Sequence, residues 1–105
     1  MAKRRLFTEV TPLGHCVVLT RDRWREIVRF KHPALAGHEG EVRDCLRDPE
    51  VIRASEKDPD VHLYYRVVAG RYVCVVVGGE DEQARFVITA YFTDRLKKGR
   101  ELWTK

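Results

Sequence analysis

Two apolar stretches near the end of the chain, residues 61–79 (VHLYYRVVAGRYVCVVVGG) and 84–93 (ARFVITAYFT), constrain the fold most. Both are dominated by β-branched and aromatic residues, which suit a pleated, half-buried surface. The first folds back on Ala69-Gly70, so the two stretches predict an antiparallel meander of three strands. With a two-residue turn, Val68 faces Arg71, Arg66 faces Val73, Tyr64 faces Val75 and His62 faces Val77. The other face then takes Leu63, Tyr65, Val67, Tyr72, Cys74 and Val76. A strand as uniformly apolar as residues 72–77 needs cover on both sides and is expected to be central. In the last strand Phe86, Ile88, Ala90 and Phe92 are expected on the core side. Val87, Thr89, Tyr91 and Thr93 take the other side, where Thr89 and Tyr91 are expected to join His62, Tyr64 and Arg66. The connection 78–83 leaves that register open.

Upstream, residues 1–12 form an arm or a short edge strand, and residues 15–20 (HCVVLT) a short β-rich run. Thr20 offers an oxygen to cap a helix, with Asp22 favourable in its first turn. From Arg21 to Lys31 the residues Trp24, Ile27, Val28 and Phe30 or Lys31 recur at helical spacing and predict one buried stripe. Arg21, Arg25, Arg29 and His32 form a second row, and Pro33 places His32 at the helix end. A second helix over 41–47 buries Val42, Cys45 and Leu46 and stops at Asp48-Pro49. Val51-Ile52 opens a short strand, and the tail after Thr93 reads as a basic turn of helix anchored by Leu96 and Trp103. The expectation is one α+β domain: an N-terminal strand and two helices packed on a C-terminal antiparallel sheet of three to four strands. Within residues 1–105 the arm spans 1–12, the core 15–98 and the basic tail 99–105.

No stretch approaches the roughly 18 apolar residues of a membrane span, and the charged start lacks the apolar region of a signal peptide. A cytoplasmic location with no membrane partner follows as the expectation. Three cysteines without a C-x-x-C pattern suggest small apolar fillers. The formal charge of +4, supplied largely by arginine, leans toward polyanionic partners. His32-x5-His38 has no third ligand, so neither a metal nor a cofactor is expected.

Metal-free cleavage of RNA needs a proton carrier, cations for the pentacoordinate phosphate, and hydroxyls that position the substrate. Histidine, with an ordinary pKa of roughly 6.5, suits the proton role, and arginine matches phosphate oxygens. His32, Arg66, Thr89 and Tyr91 are the catalytic candidates; Arg25, Arg29, Lys31, His62 and Tyr64 are the substrate-binding ones. Each has a plainer explanation. His32 can serve the helix C-terminus, Arg66 can form a structural salt bridge, His62 can be surface, and Thr and Tyr are good strand formers.

A helix ending in R-F-K-H-P, then L-R-D-P-E-V-I, Y-Y-R-V, a V-V-V strand and V-I-T-A-Y-F resembles, in that order and over residues 15–98, the BECR-type (barnase/EndoU/colicin/RelE-like) nuclease domains and their phage- and toxin-associated relatives. The resemblance implies a sheet that cradles RNA and a metal-independent RNase that leaves a cyclic phosphate. It implies RNA as partner, with a cognate antitoxin or immunity protein. It assigns the helix-end site to His32 beside Arg29, the strand cation to Arg66, and the hydroxyl site to Thr89 with Tyr91. Two rivals stand beside it: a nucleic-acid-binding module of the same fold without cleavage, and a structural or protein-interaction domain with Arg66 paired to a carboxylate. The nuclease reading requires His32 and Arg66 to meet.

Overall fold

The computed structural model describes residues 4–81 and 84–105. Residues 1–3 of the expected arm and 82–83 of the last connection lie outside the described residues. Seven strands form one mixed sheet: β1 (Arg5–Val10), β2 (Cys16–Thr20), β3 (Val51–Ser55), β4 (His62–Val68), β5 (Arg71–Asp81), β6 (Ala84–Thr93) and β7 (Gly99–Thr104). Their order is β1-β2-β6-β5-β4-β3-β7. Every neighbouring pair is antiparallel except β2 and β6, which run parallel through Val17↔Arg85 and Val18↔Phe86.

The expected sheet of three to four strands is therefore too small. Most of the extra strands are visible as short β-rich runs, but β2 joins the sheet through β6, after the chain has passed by way of both helices to β3 and back through β4 and β5. The basic tail is corrected outright: it is strand β7, not a helical turn. β7 pairs with the outer edge of β3, Ile52 opposite Trp103 and Ala54 opposite Arg100. Gly99 permits the approach, because a Cβ there would lie 2.0 Å from the Ala54 carbonyl oxygen.

The β4–β5 hairpin has the expected register, with His62 opposite Val77, Tyr64 opposite Val75 and Arg66 opposite Val73. Ala69 and Gly70 have φ values of 51° and 81°, the left-handed pair that matches the twist of a two-residue hairpin. β5 is central, between β4 and β6. In β6 the register slips between Val76↔Thr89 and Val77↔Val87, so Ile88 is an extra residue. This bulge splits the expected core row: Val87 and Ala90 are buried, whereas Phe86 is 44% exposed.

Helix α1 (Arg21–Glu26) begins on Thr20, whose Oγ1 accepts from the Arg23 amide at 3.2 Å. It passes into a wider π turn over Ile27–Lys31, closed by the His32 amide donating to the Ile27 carbonyl at 2.7 Å. The backbone leaves helical geometry at His32, ahead of Pro33. Trp24 and Ile27 are buried as expected, but the π turn carries Phe30 and Lys31 outward.

α2 (Glu39–Arg47) lays Val42, Cys45 and Leu46 on one sheet face, in a core with Leu19, Ile52, Tyr64, Val73, Val75 and Val77. Tyr64 is fully buried and donates its hydroxyl to Thr11 Oγ1 at 2.9 Å. The opposite face holds a smaller cluster of Val51, Leu63, Tyr65 and Cys74, bordered by Tyr72, Val76, Tyr91 and Leu96 and containing no helical residue. The chain after β6 folds across this face. There the Lys97 amide donates to Tyr65 Oη at 3.0 Å, and Arg53 donates to the Lys97 carbonyl at 2.9 Å.

Candidate functional site

Strand alternation decides which polar groups can meet. Arg66 lies opposite Val73, and Tyr91 lies opposite Cys74, so the two point to opposite faces of the sheet. Thr89, opposite Val76, shares the Tyr91 face. The expected junction of Arg66 with Thr89 and Tyr91 is thus not formed, nor is its approach to His32. Arg66 instead donates from one guanidinium nitrogen to the Asp48 carbonyl at 2.6 Å and the Asp48 carboxylate at 3.0 Å. The same carboxylate is met by Lys105 Nζ at 3.1 Å. Lys105 foremost holds the Asp48 carboxyl below its ordinary range; desolvation opposes it, and the Arg66 guanidinium adds to the lowering. Arg66 therefore fastens the end of α2 to the sheet, the plainer of its two readings.

That role has a measurable consequence. Arg66→Met keeps most of the buried stem but leaves the Asp48 carbonyl without its donor. A loss of about 1–2 kcal/mol in folding stability is expected by urea denaturation, with no effect on any activity of the folded protein.

Two substrate-binding candidates also fall on the helix-covered side. Tyr64 is a core residue satisfied by Thr11. His62 stacks on His15, ring centroids 5.5 Å apart and 20° from parallel. Near them Arg85 is buried and donates to the carbonyls of Gly79, at 3.2 Å, and Asp60. Burial first, then the positive charges of Arg85 and His15, push the His62 imidazole down to about 4.

In an unfolded chain that ring titrates near its ordinary value of 6.5. Between those values the unfolded state binds more protons, so stability falls as pH falls from 6.5 to about 4 and is unaffected above that window. With solvent reaching part of the ring, the loss is on the order of 1–2 kcal/mol. His62→Gln should flatten this slope in denaturation curves taken at pH 7 and pH 4.5; an unchanged slope would assign the acid sensitivity elsewhere.

Of the remaining candidates, His32 and Tyr91 come together, and Thr89 lies on the same sheet face as Tyr91. β2 pairs with β6 only at its start, and α1 and the short helical turn Pro33–Leu35 contact β6. This brings the half-buried His32 ring to 5.4 Å from the Tyr91 ring, centroid to centroid. Lys97 Nζ lies 5.5 Å from the same ring. Lys31, one residue before His32, pairs with Glu26 at 3.7 Å, and Glu26 also meets Arg23 at 3.6 Å. Glu26 and Arg23 line a groove of about 440 Å³ with Val18, Thr20, Asp22, Phe86 and Val87. Arg25 and Arg29 are exposed on the same helical segment.

The hydroxyls of Thr89 and Tyr91 are shut off from solvent, yet neither has a hydrogen-bond partner among the described residues. Burial, followed by the adjacent Cys74, drives the Tyr91 phenol well above its ordinary value. The sulfur is too poor a partner to satisfy it, and strict hydrogen-bond geometry to Cys74 is absent. The Cys74 thiol is itself pushed up to about 11 and the Tyr65 phenol to about 12, in both cases chiefly by burial. All three groups are neutral near pH 7, so the face offers protonated donors beside the cation Lys97.

Sequence reasoning missed Lys97, Tyr65 and Cys74 as members of this site. Tyr65, Tyr72 and Cys74 do fall on one strand face by simple alternation, and that row was the available signal. Among the described residues no helix is long and apolar enough to cross a membrane, and no three His, Cys, Asp or Glu side chains cluster as metal ligands. No family model, no curated protein and no solved structure matches the chain.

Proposed function

We propose that, although His32 and Arg66 do not meet, the protein is a metal-independent RNase-like domain of the cytosol whose working surface is the helix-free sheet face around His32 and Tyr91, with Lys97 in the place expected of Arg66. The observation that supports this reading best is the pair of desolvated, unpartnered hydroxyls on Thr89 and Tyr91 beside an imidazole and the Lys97 ammonium. Buried hydroxyls without partners oppose folding, and a phosphodiester supplies the acceptor oxygens they lack.

In the proposed reaction the ribose 2′-oxygen forms a bond to phosphorus and the bond from phosphorus to the 5′-oxygen breaks, leaving a cyclic phosphate. The 2′-hydroxyl loses a proton and the departing oxygen gains one. His32 carries one of these transfers and solvent water the other. Lys31, Lys97 and Arg29 offset the charge that gathers on phosphorus oxygens, and Tyr91 and Thr89 donate to them. A cytosolic RNase harms its host unless restrained, so a cognate antitoxin or immunity protein is part of the proposal, as is a toxin or phage-derived origin.

The withdrawal of Arg66 into the Asp48 pair favours a second reading, in which the same face binds RNA without cutting it. Purified protein incubated with total RNA in EDTA separates the two. Products ending in cyclic phosphate from wild type, and none from His32→Ala, support the RNase. Salt-sensitive binding without product supports the binding module.

A further inference from the structure

Phe30 is 77% exposed, the most exposed of the large apolar side chains among the described residues. Regular helical spacing would turn this part of the stripe toward the core. The π turn over Ile27–Lys31 inserts one extra residue per turn and carries the ring into solvent. Turns of this kind are uncommon and concentrate at functional positions, since a regular helix uses its backbone better.

The exposed residues of its segment are mostly cationic, Arg25, Arg29 and Lys31 with Glu26. Arg25 and Arg29 are exposed on the same segment, and the ion pairs of this segment use Arg23, Glu26 and Lys31 instead. Two residues further on, His32 rests against Tyr91. A solvated aromatic set between Arg29 and Lys31 in the chain, two residues before the His32–Tyr91 contact, combines the two elements that hold single-stranded nucleic acid: charge for the backbone and a π surface for a base. A protein partner seeking an apolar contact would be poorly matched by the flanking guanidiniums.

We infer that Phe30 is a base-stacking residue, which receives an unpaired nucleotide of the RNA whose backbone crosses the His32–Tyr91 face. This rests on the nucleic-acid reading of that face but not on cleavage. A base inside a duplex has both π faces covered by its neighbours, so the site would favour unpaired RNA.

The test uses a fluorescein-labelled 2′-O-methyl RNA oligonucleotide, which lacks the attacking hydroxyl, alone and annealed to its complement, at one fixed salt concentration. Wild type should bind the single strand more tightly than the duplex. Phe30→Ala should weaken single-strand binding about tenfold or more, with little change for the duplex. Phe30→Trp should retain the preference, and Phe30→Leu, apolar but unable to stack, should behave as alanine does. The exposed position lets all three fold, which far-UV circular dichroism checks. Wild-type affinity in Phe30→Ala, rescue by leucine as good as by tryptophan, or no binding of either probe by wild type would each overturn the inference. Phe30-dependent binding together with absence of cleavage would leave stacking intact and remove only the RNase.

Discussion

His32→Ala is expected to lower RNA cleavage by the purified protein by about 10²- to 10⁴-fold, the range lost when a positioned proton carrier is removed. His32 is half-buried at a helix end, and its ring contact is with Tyr91 rather than with the main core. The substitution should therefore cost the fold little, and the rate loss should appear in protein with wild-type circular dichroism. Tyr91→Phe sharpens the test because its two effects have opposite signs. It removes a buried hydroxyl that has no partner among the described residues, so folding stability should hold or rise, by up to about 1 kcal/mol. Cleavage should nevertheless fall, because the donor to phosphate is lost. A site defined by unsatisfied groups should gain stability as it loses function, whereas a purely structural tyrosine would lose stability and leave activity alone.

Tyr64→Ala is expected to destabilise the protein by about 3–5 kcal/mol, the range for deleting a large aromatic from a packed core. That is a large share of the 5–15 kcal/mol typical of a domain, so the variant should be partly unfolded at 37 °C. Tyr64 is fully enclosed between α2 and the sheet, and its hydroxyl satisfies Thr11, which is itself buried at the start of the β1–β2 turn. Tyr64→Phe isolates the polar part. It keeps the ring and removes the Tyr64 donor to the buried Thr11 hydroxyl, which then accepts only from the Leu13 amide at 3.3 Å, for a loss of about 1 kcal/mol. Thermal unfolding of both variants measures these values. A phenylalanine variant as damaged as the alanine variant would mean that the hydroxyl, not the ring, holds this part of the core.

The contrast between Tyr64 and Tyr91 shows what could be read from the chain. The β4–β5 hairpin was legible residue by residue, because a two-residue turn at Ala69-Gly70 leaves one register and alternation assigns both faces. The Thr20 cap and the halt of the helix at His32 followed equally from local chemistry. The face of Thr89 and Tyr91 did not. It depends on a connection of undetermined register and on the bulge at Ile88, which no local rule places. Coverage by helices was hidden for the same reason: nothing local says that α2 lies over Tyr64 and Arg66 rather than over Tyr65 and Cys74. His62, Tyr64 and Arg66 drew attention as polar intrusions in an apolar strand. Tyr64 and Arg66 turn out to be structural, tied to Thr11 and Asp48, and His62 stacks on His15. Strand β7 was missed because its pairing partner, the outer edge of β3, is nearly fifty residues away in sequence.

The choice between the two sheet faces comes down to cleavage of total RNA by Tyr91→Phe and Arg66→Met, assayed side by side on equal amounts of folded protein. Loss of cyclic-phosphate products in Tyr91→Phe, with wild-type yield from Arg66→Met, is the expected pattern. Full cleavage by Tyr91→Phe together with its loss in Arg66→Met would move the chemistry to the helix-covered face and contradict the site described above.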